Sequence, residues 1–258
     1  MRKDKLTEME HWDNYWEKFP LPSEITESTD NLLLREELKV FKQYLPEGQK
    51  SVLEIGGAPG QYLAYFHKQF GFAVSCLDYS EIGCEKTKEN FKLLNIPVKV
   101  YHKDIFSDLS DLPKFDVVFS MGFIEHFSDV SLIIKKHLYL LKPGGKLIFG
   151  LPNFRGINKL FLKYLAPDML KQHNLSTMNI ASWKNFEKEL NIQPLFKDYI
   201  GGFEPVTFLV KEKSSLFTNL LFFKARILSK LFHNRSGFSR KCNSQYFSGY
   251  IMGVYKKI

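Results

Sequence analysis

A parallel α/β sheet with helices on both faces is predicted by three observations. Short apolar runs of strand length recur along the chain, amphipathic segments of helix length alternate with them, and turn residues separate the two. Doubly wound sheets of this kind cover both faces, because each crossover is right-handed and lays its helix back on the sheet. The chain has 258 residues, 44% apolar and 25% charged, enough for one large domain with a real core. We find no internal repeat and no low-complexity segment. The expectation is a single domain over 1–258, with a helical lead-in at 1–48, a substrate-side insertion at 153–194 and a basic amphipathic insertion at 211–241.

Taken in order, the lead-in is polar but carries Trp12, Tyr15, Trp16 and Phe19. A helix follows, with Thr29 or Asp30 as its cap and Leu34, Leu38, Phe41 and Leu45 at helical spacing; Pro46-Glu-Gly ends it. Ser51–Ile55 is the first strand and Gln61–Phe70 a helix. Phe72–Asp78 is the second strand and Glu81–Leu94 a helix. Val98–Tyr101 and Phe115–Ser120 are the third and fourth strands, then comes a helix near Val130–Leu141 and a fifth strand at Lys146–Leu151. After Pro152 the alternation stops. Residues 153–194 are predicted as helices and loops, and Phe196–Val210 and Tyr246–Lys256 as two late strands forming an antiparallel pair at one end of the sheet.

In such sheets ligands sit beyond the carboxyl ends of the strands. There the first strand runs through Glu54 into a turn of small residues, Gly56-Gly-Ala-Pro-Gly60, that opens a helix. Small residues let the backbone pass close to a ligand, and a helix start presents free N–H groups. A tight strand-to-helix turn without a ligand explains the same letters. Asp78 ends the second strand, 24 residues after Glu54, where an acid can accept ribose hydroxyls. Asp104 follows the third strand, Met121-Gly-Phe-Ile-Glu-His126 follows the fourth, and Leu141-Lys-Pro-Gly-Gly145 announces the fifth.

This series, over residues 50–153, resembles the class I S-adenosylmethionine-dependent methyltransferases. The resemblance implies a Rossmann-like sheet of seven strands, mostly parallel with the last strand antiparallel, and S-adenosyl-L-methionine as cofactor. By position, Glu54, Gly56, Gly57 and Gly60 match the cofactor loop, with Ala58 where glycine is commonest. Asp78 matches the ribose acid and Tyr79 the residue beside adenine. Asp104 and Ile105 match the adenine edge, and Met121 and Gly122 the wall after the fourth strand. The aromatic lead-in His11-Trp-Asp-Asn-Tyr-Trp16 resembles that of small-molecule members. A dinucleotide oxidoreductase would want G-x-G-x-x-G, and glycines at 56, 57 and 60 do not fit it.

Methyl transfer needs an aligned acceptor and a proton acceptor. His126 and His173 are the candidate bases. Glu125-His126 as a helix cap or as a pair that orients the cofactor, and His173 as a solvated loop residue, are the plain alternatives. Asn153, Arg155 and Tyr15 are the candidate substrate contacts, Arg155 for a phosphate or carboxylate. A helix start at 153–155, and core packing of the lead-in aromatics, account for the same residues. No spacing of His, Asp or Glu predicts a metal site.

The net charge is +8 but unevenly placed: residues 211–258 hold 10 Lys/Arg and one acid, Glu212. Segment 214–232 sets Phe217, Leu220, Leu221, Leu228, Leu231 and Phe232 beside Lys224, Arg226 and Lys230, with His233, Arg235, Arg240 and Lys241 following. The composition suits peripheral contact with an anionic membrane; an insertion packed on the sheet with solvated lysines is the plainer reading of the same residues. Cys76, Cys84 and Cys242 form no framework, and Met1–Glu8 has no apolar signal core, so a cytoplasmic protein, or one at the inner membrane face, is expected. Neither Asn/Asp-Pro-Pro-Tyr nor a Pro-Cys nucleophile follows the fourth strand, so nucleic acid is not the expected partner. O-methylation of a small molecule, sugar or lipid-linked glycan is the leading reading; the segment Leu151–Ile157 with His173-Asn-Leu175 loosely resembles enzymes of surface-glycan pathways. An RNA methyltransferase and a non-catalytic cofactor-binding regulator are the alternatives.

Overall fold

The computed structural model describes residues 5–28, 31–203, 215–233 and 243–258. Thr29, Asp30, the 204–210 part of the expected strand, and Arg235, Arg240 and Lys241 lie outside the described residues. So do the side chains of Leu228, Lys230, Leu231, Phe232 and His233.

In chain order the elements are α1 (Met9–Glu17), α2 (Leu32–Tyr44), β1 (Ser51–Ile55), α3 (Gln61–Phe70), β2 (Ala73–Asp78), α4 (Glu81–Leu93), β3 (Val98–His102) and β4 (Phe115–Met121). Then follow α5 (Val130–Leu140), β5 (Leu141–Pro152), α6 (Gly156–Leu165), α7 (Pro167–Lys171), α8 (Trp183–Glu189), β6 (Ile192–Ile200), α9 (Leu216–His233) and β7 (Tyr250–Lys257). The sheet has seven strands in the order β3-β2-β1-β4-β5-β7-β6. The pairs from β3 through β5 are parallel, and β7 runs antiparallel to both β5 and β6. The expected seven-stranded sheet with an antiparallel last strand is therefore the observed one.

Strand alternation sorts the core into two layers. Val52, Val117 and Phe119 face a cluster with Phe41, Phe66 and Phe72 under α2 and α3. Leu53, Val118, Leu147 and Phe149 face Ile133, Leu138 and Trp183 under α5 and α8. Boundaries differ from expectation where side chains, not periodicity, decide them. Asn31 caps α2, its side chain accepting from the Leu34 N–H at 3.1 Å. The strand expected at 196–210 is β6, which begins at Ile192; Gly201 and Gly202, both at positive φ, follow Ile200 and turn the chain. β7 starts at Tyr250, later than expected, because Ser248 Oγ accepts from the Ser244 N–H and closes a turn there.

Chain order reverses between β1 and β4, which are neighbours with β2 on one side and β5 on the other. In open sheets of this kind a ligand cleft lies at such a reversal, outside the carboxyl ends of β1 and β4.

Candidate active site

A cleft opens there, with about 620 Å³ of empty space that includes open solvent at its mouth. Ile55, Gly56, Leu77, Asp78, Tyr79, Asp104, Ile105 and Gly122 line it, each from the loop or last residues of one of the first four strands. Phe123, His126 and Phe127 line it from beyond β4, and Lys5, Thr7, Trp12 and Trp16 from the N-terminal segment.

Of the expected loop residues, Gly56 reaches the cleft; Glu54, Gly57 and Gly60 lie behind it and shape the turn. Gly60 takes φ +84°, and a Cβ there would meet Phe91 at 2.7 Å. A Cβ at Gly57 would overlap the Glu54 carboxyl, and one at Gly56 the Phe123 ring. The loop is thus squeezed from three sides and presents bare backbone. Glu54 is 2% exposed and its Oε2 has no hydrogen-bond partner. Burial and the neighbouring Asp78 push its carboxyl well above the usual range.

Asp78 is buried, and its Oδ1 accepts from the Ser80 N–H at 2.9 Å. Burial raises its pKa to about 6 against the lowering effect of backbone donors from Ser80, Ala58 and Tyr79. Tyr79 stands next to it with the Lys5 ammonium 4.3 Å from its ring centroid. The same ammonium pairs with Asp104 Oδ2 at 2.8 Å. Met121 does not line the cleft; it stands opposite Gly150 in the β4–β5 register.

The expected catalytic pair does meet. His126 and His173 rings lie 4.4 Å apart between centroids, with Trp12 edge-on to His126 at 5.0 Å. His126 lines the cleft; His173 stands behind it, half-buried, and packs on Phe154 at 4.8 Å. His126 Nδ1 lies 3.2 Å from the Gln172 carbonyl and 2.8 Å from Thr7 Oγ1. His173 Nδ1 lies 2.6 Å from the Met169 carbonyl. A carbonyl only accepts, so each Nδ1 is assigned the proton and each Nε2 the lone pair. Burial lowers the pKa of His126 to about 3, with His173 second, and burial lowers that of His173 to about 4. Both rings are neutral at pH 7. The cap alternative for Glu125-His126 does not hold: Asp129 caps α5, accepting from the Leu132 N–H at 2.9 Å.

Glu125 was expected only as the partner of His126 in those alternatives. It is 1% exposed, neither carboxyl oxygen has a hydrogen-bond partner, and burial raises its pKa to about 8. Among the described residues, ligating atoms of Glu125, His126 and His173 lie within 4.8 Å of one another, near enough to share one divalent cation. Spacing could not show this group, because His173 arrives from the insertion after β5.

The expected substrate contacts are not brought to the cleft. Asn153 is fully buried, and its Nδ2 donates to the Gln245 and Ser248 carbonyls at 3.1 and 2.8 Å, tying β5 to the turn before β7. Arg155 is the residue that starts α6, its N–H donating to Asn153 Oδ1 at 3.2 Å, so the helix-start alternative describes both. Tyr15 is half-exposed and packs on Trp16 at 4.7 Å, while Trp12 and Trp16 form the wall. Sequence reasoning missed Lys5 and Thr7. An isolated antiparallel bridge, Lys5 with Phe127, and the Leu6 N–H donating to the His126 carbonyl at 2.8 Å bring them in, and no local pattern announces either.

The cradle fits S-adenosylmethionine: a bare glycine loop, a buried acid at the end of β2 for ribose, and an aromatic and an aliphatic wall at Tyr79 and Ile105. Comparison with known proteins agrees. Residues 27–194 match the methyltransferase-domain family. The ubiquinone biosynthesis O-methyltransferase of Coxiella burnetii is 30% identical over 128 residues, 50% of this chain and 52% of that protein. The chain thus spans about half the length of that relative. The enzyme of the same name from Pelagibacter ubique is 27% identical over 187 residues, 69% of this chain and 73% of that one. Among solved structures, geranyl diphosphate C-methyltransferase from Streptomyces coelicolor superposes with TM-score 0.61 at 10% identity, covering 97% of this chain and 98% of that one. Coclaurine N-methyltransferase superposes with TM-score 0.60 at 13% identity, covering all 100% of this chain and 84% of that one. These two establish the fold. With the family match over most of the chain, the glycine loop and the acid at the end of β2, the chain belongs to the class I S-adenosylmethionine-dependent methyltransferase family.

Proposed function

We propose that the enzyme methylates a hydroxyl oxygen of a small apolar acceptor, of the phenolic class. The observation that carries this reading is the wall facing His126. Trp12, Trp16, Phe123 and Phe127 offer flat apolar surfaces, and the Thr7–His126 pair stands among them. A planar ring packs well on such surfaces, and its hydroxyl then needs one polar partner. The relatives named for ubiquinone biosynthesis support an aromatic acceptor. A sugar, with hydroxyls on every face, would leave most of them unpaired against these rings.

When bound, S-adenosylmethionine supplies a methyl group activated on a positively charged sulfur that ends neutral. His126 Nε2 takes the acceptor proton, while Nδ1–H is held by the Gln172 carbonyl and Thr7. A proton on His126 then replaces one cationic charge in the cleft with another, so burial does not oppose the overall transfer. Trp12 and Trp16 exclude water, and Asp78 holds the ribose.

The test is methyl transfer from tritiated S-adenosylmethionine to a panel of catechols, sugars and amines. Transfer to catechol oxygen is expected. His126→Ala should lower kcat about 100-fold, with S-adenosylhomocysteine affinity changed less than about threefold. Labelling of sugars or amines alone, or an unchanged kcat, overturns the proposal.

A further inference from the structure

We infer that the flank formed by α6 and α9 docks on an anionic lipid bilayer surface. This goes beyond the catalytic reading and does not depend on it.

The reason begins with α9, which is apolar on two opposite sides. One side is packed: Ala225 is buried, and Leu221 and Phe222 rest on the core cluster. The other carries Leu216, Leu220, Phe223 and Ile227 at spacings of four, three and four residues, with Phe217 beside them. All five are exposed, Leu216 by 88% and Phe223 by 60%. A helix packed on one side and facing water on the other is ordinarily polar on the outer side. Here the outer side is as apolar as the inner.

The surface continues onto α6, where Leu160 and Tyr164 are exposed by 57% and 46%. The Tyr164 ring meets Phe217 edge-on at 5.7 Å, so the two helices present one patch. Patches of this extent on a soluble chain mark a partner.

Charge selects which partner. Lys159 and Lys163 on α6, and Lys224 and Arg226 on α9, are exposed around the apolar residues. Neither helix contains an acid, and no Asp or Glu follows Glu212 anywhere in the chain. An apolar face flanked by cations from both helices matches the acyl boundary and headgroups of an anionic leaflet. A second copy fits poorly, since a twofold contact would set two cationic rims together with no acid between them. None of the described helices is long and apolar enough to cross a membrane, so the contact is in the plane of the interface. The place is apt for catalysis too: α6 leaves the carboxyl end of β5, the side of the sheet on which the cleft opens.

The experiment is cosedimentation of the full chain with vesicles of phosphatidylcholine alone and of phosphatidylcholine with 30 mol% phosphatidylglycerol, roughly the anionic content at which a basic helix binds. Phe217→Ser with Phe223→Ser, and separately Lys224→Glu with Arg226→Glu, are compared with wild type. Both sites are exposed, and S-adenosylhomocysteine calorimetry reports that each variant is folded. Wild type should sediment with the anionic vesicles only, and each double variant should bind them at least about tenfold more weakly. Absence of wild-type binding at low salt overturns the inference. So does binding that the serine variant retains in full, or a wild-type dimer by light scattering that the serine variant dissolves.

Discussion

At the cofactor end, the loop after β1 is pressed between Phe123, Glu54 and Phe91, and Glu54 and Asp78 are buried almost completely. On the α6–α9 flank the arrangement is inverted. Large apolar side chains stand in water while the cations around them are solvated. The first region buries acids to shape a pocket; the second exposes apolar area. Each is costly in an isolated chain, and each cost marks a place that a binding partner would relieve. The bound cofactor would pair with Asp78, which lines the cleft, and the proposed bilayer surface would cover the exposed rings. The difference teaches where to look for binding partners: at the places where local physical rules are broken in opposite directions.

Three changes probe this contrast within the catalytic half, and the largest concerns Glu125. Its pKa, raised by burial to about 8 from an ordinary value of 4.5, means that the folded state holds this proton more tightly than the unfolded chain. Its contribution to stability is full below pH 4.5, falls as pH rises and is gone above about 8. Urea unfolding of wild type should therefore lose roughly 2–4 kcal/mol relative to Glu125→Gln between pH 5 and pH 9. Parallel pH profiles for the two proteins would show that Glu125 is not a burdened group.

Next is Asp78→Ala. If Asp78 accepts the ribose hydroxyls as proposed, its removal should weaken S-adenosylhomocysteine binding about 100-fold by calorimetry. In wild type the same affinity should fall as pH drops through about 6, where Asp78 becomes protonated. A loss below threefold would move the ribose site elsewhere.

The smallest effect is expected for Lys5→Ala. Its pair with Asp104 is partly exposed, with side-chain exposures of 22% and 39%. Stability should change by no more than about 1 kcal/mol in thermal melts. A larger loss would make the N-terminal strap part of the core rather than a wall added to it.

The cofactor end was legible because its signals are local. Asp78 and Asp104 sit at or just past the ends of apolar runs, and Gly56, Gly57 and Gly60 crowd one turn, so Gly56, Asp78 and Asp104 follow one another along the chain as they do around the cleft. Asn153 and Arg155 also sit just past a strand, and there position misled: Asn153 turns inward because the carbonyls of Gln245 and Ser248 need a donor. The amphipathic α9 was legible as a composition, but which of its two apolar sides is covered was not.

By itself the sequence determined the alternation of strands and helices, the seven-stranded class and the cofactor loop, since each depends on periodicity, turn chemistry or side chains a few residues apart. Tertiary structure alone decided that Thr7 meets His126, that the His173 ring lies against it from across the insertion, and that the Glu125 carboxyl is sealed without a hydrogen-bond partner. Those contacts join residues far apart in the chain, and desolvation, which sets the charge state of all three site groups, exists only once distant segments have closed around them.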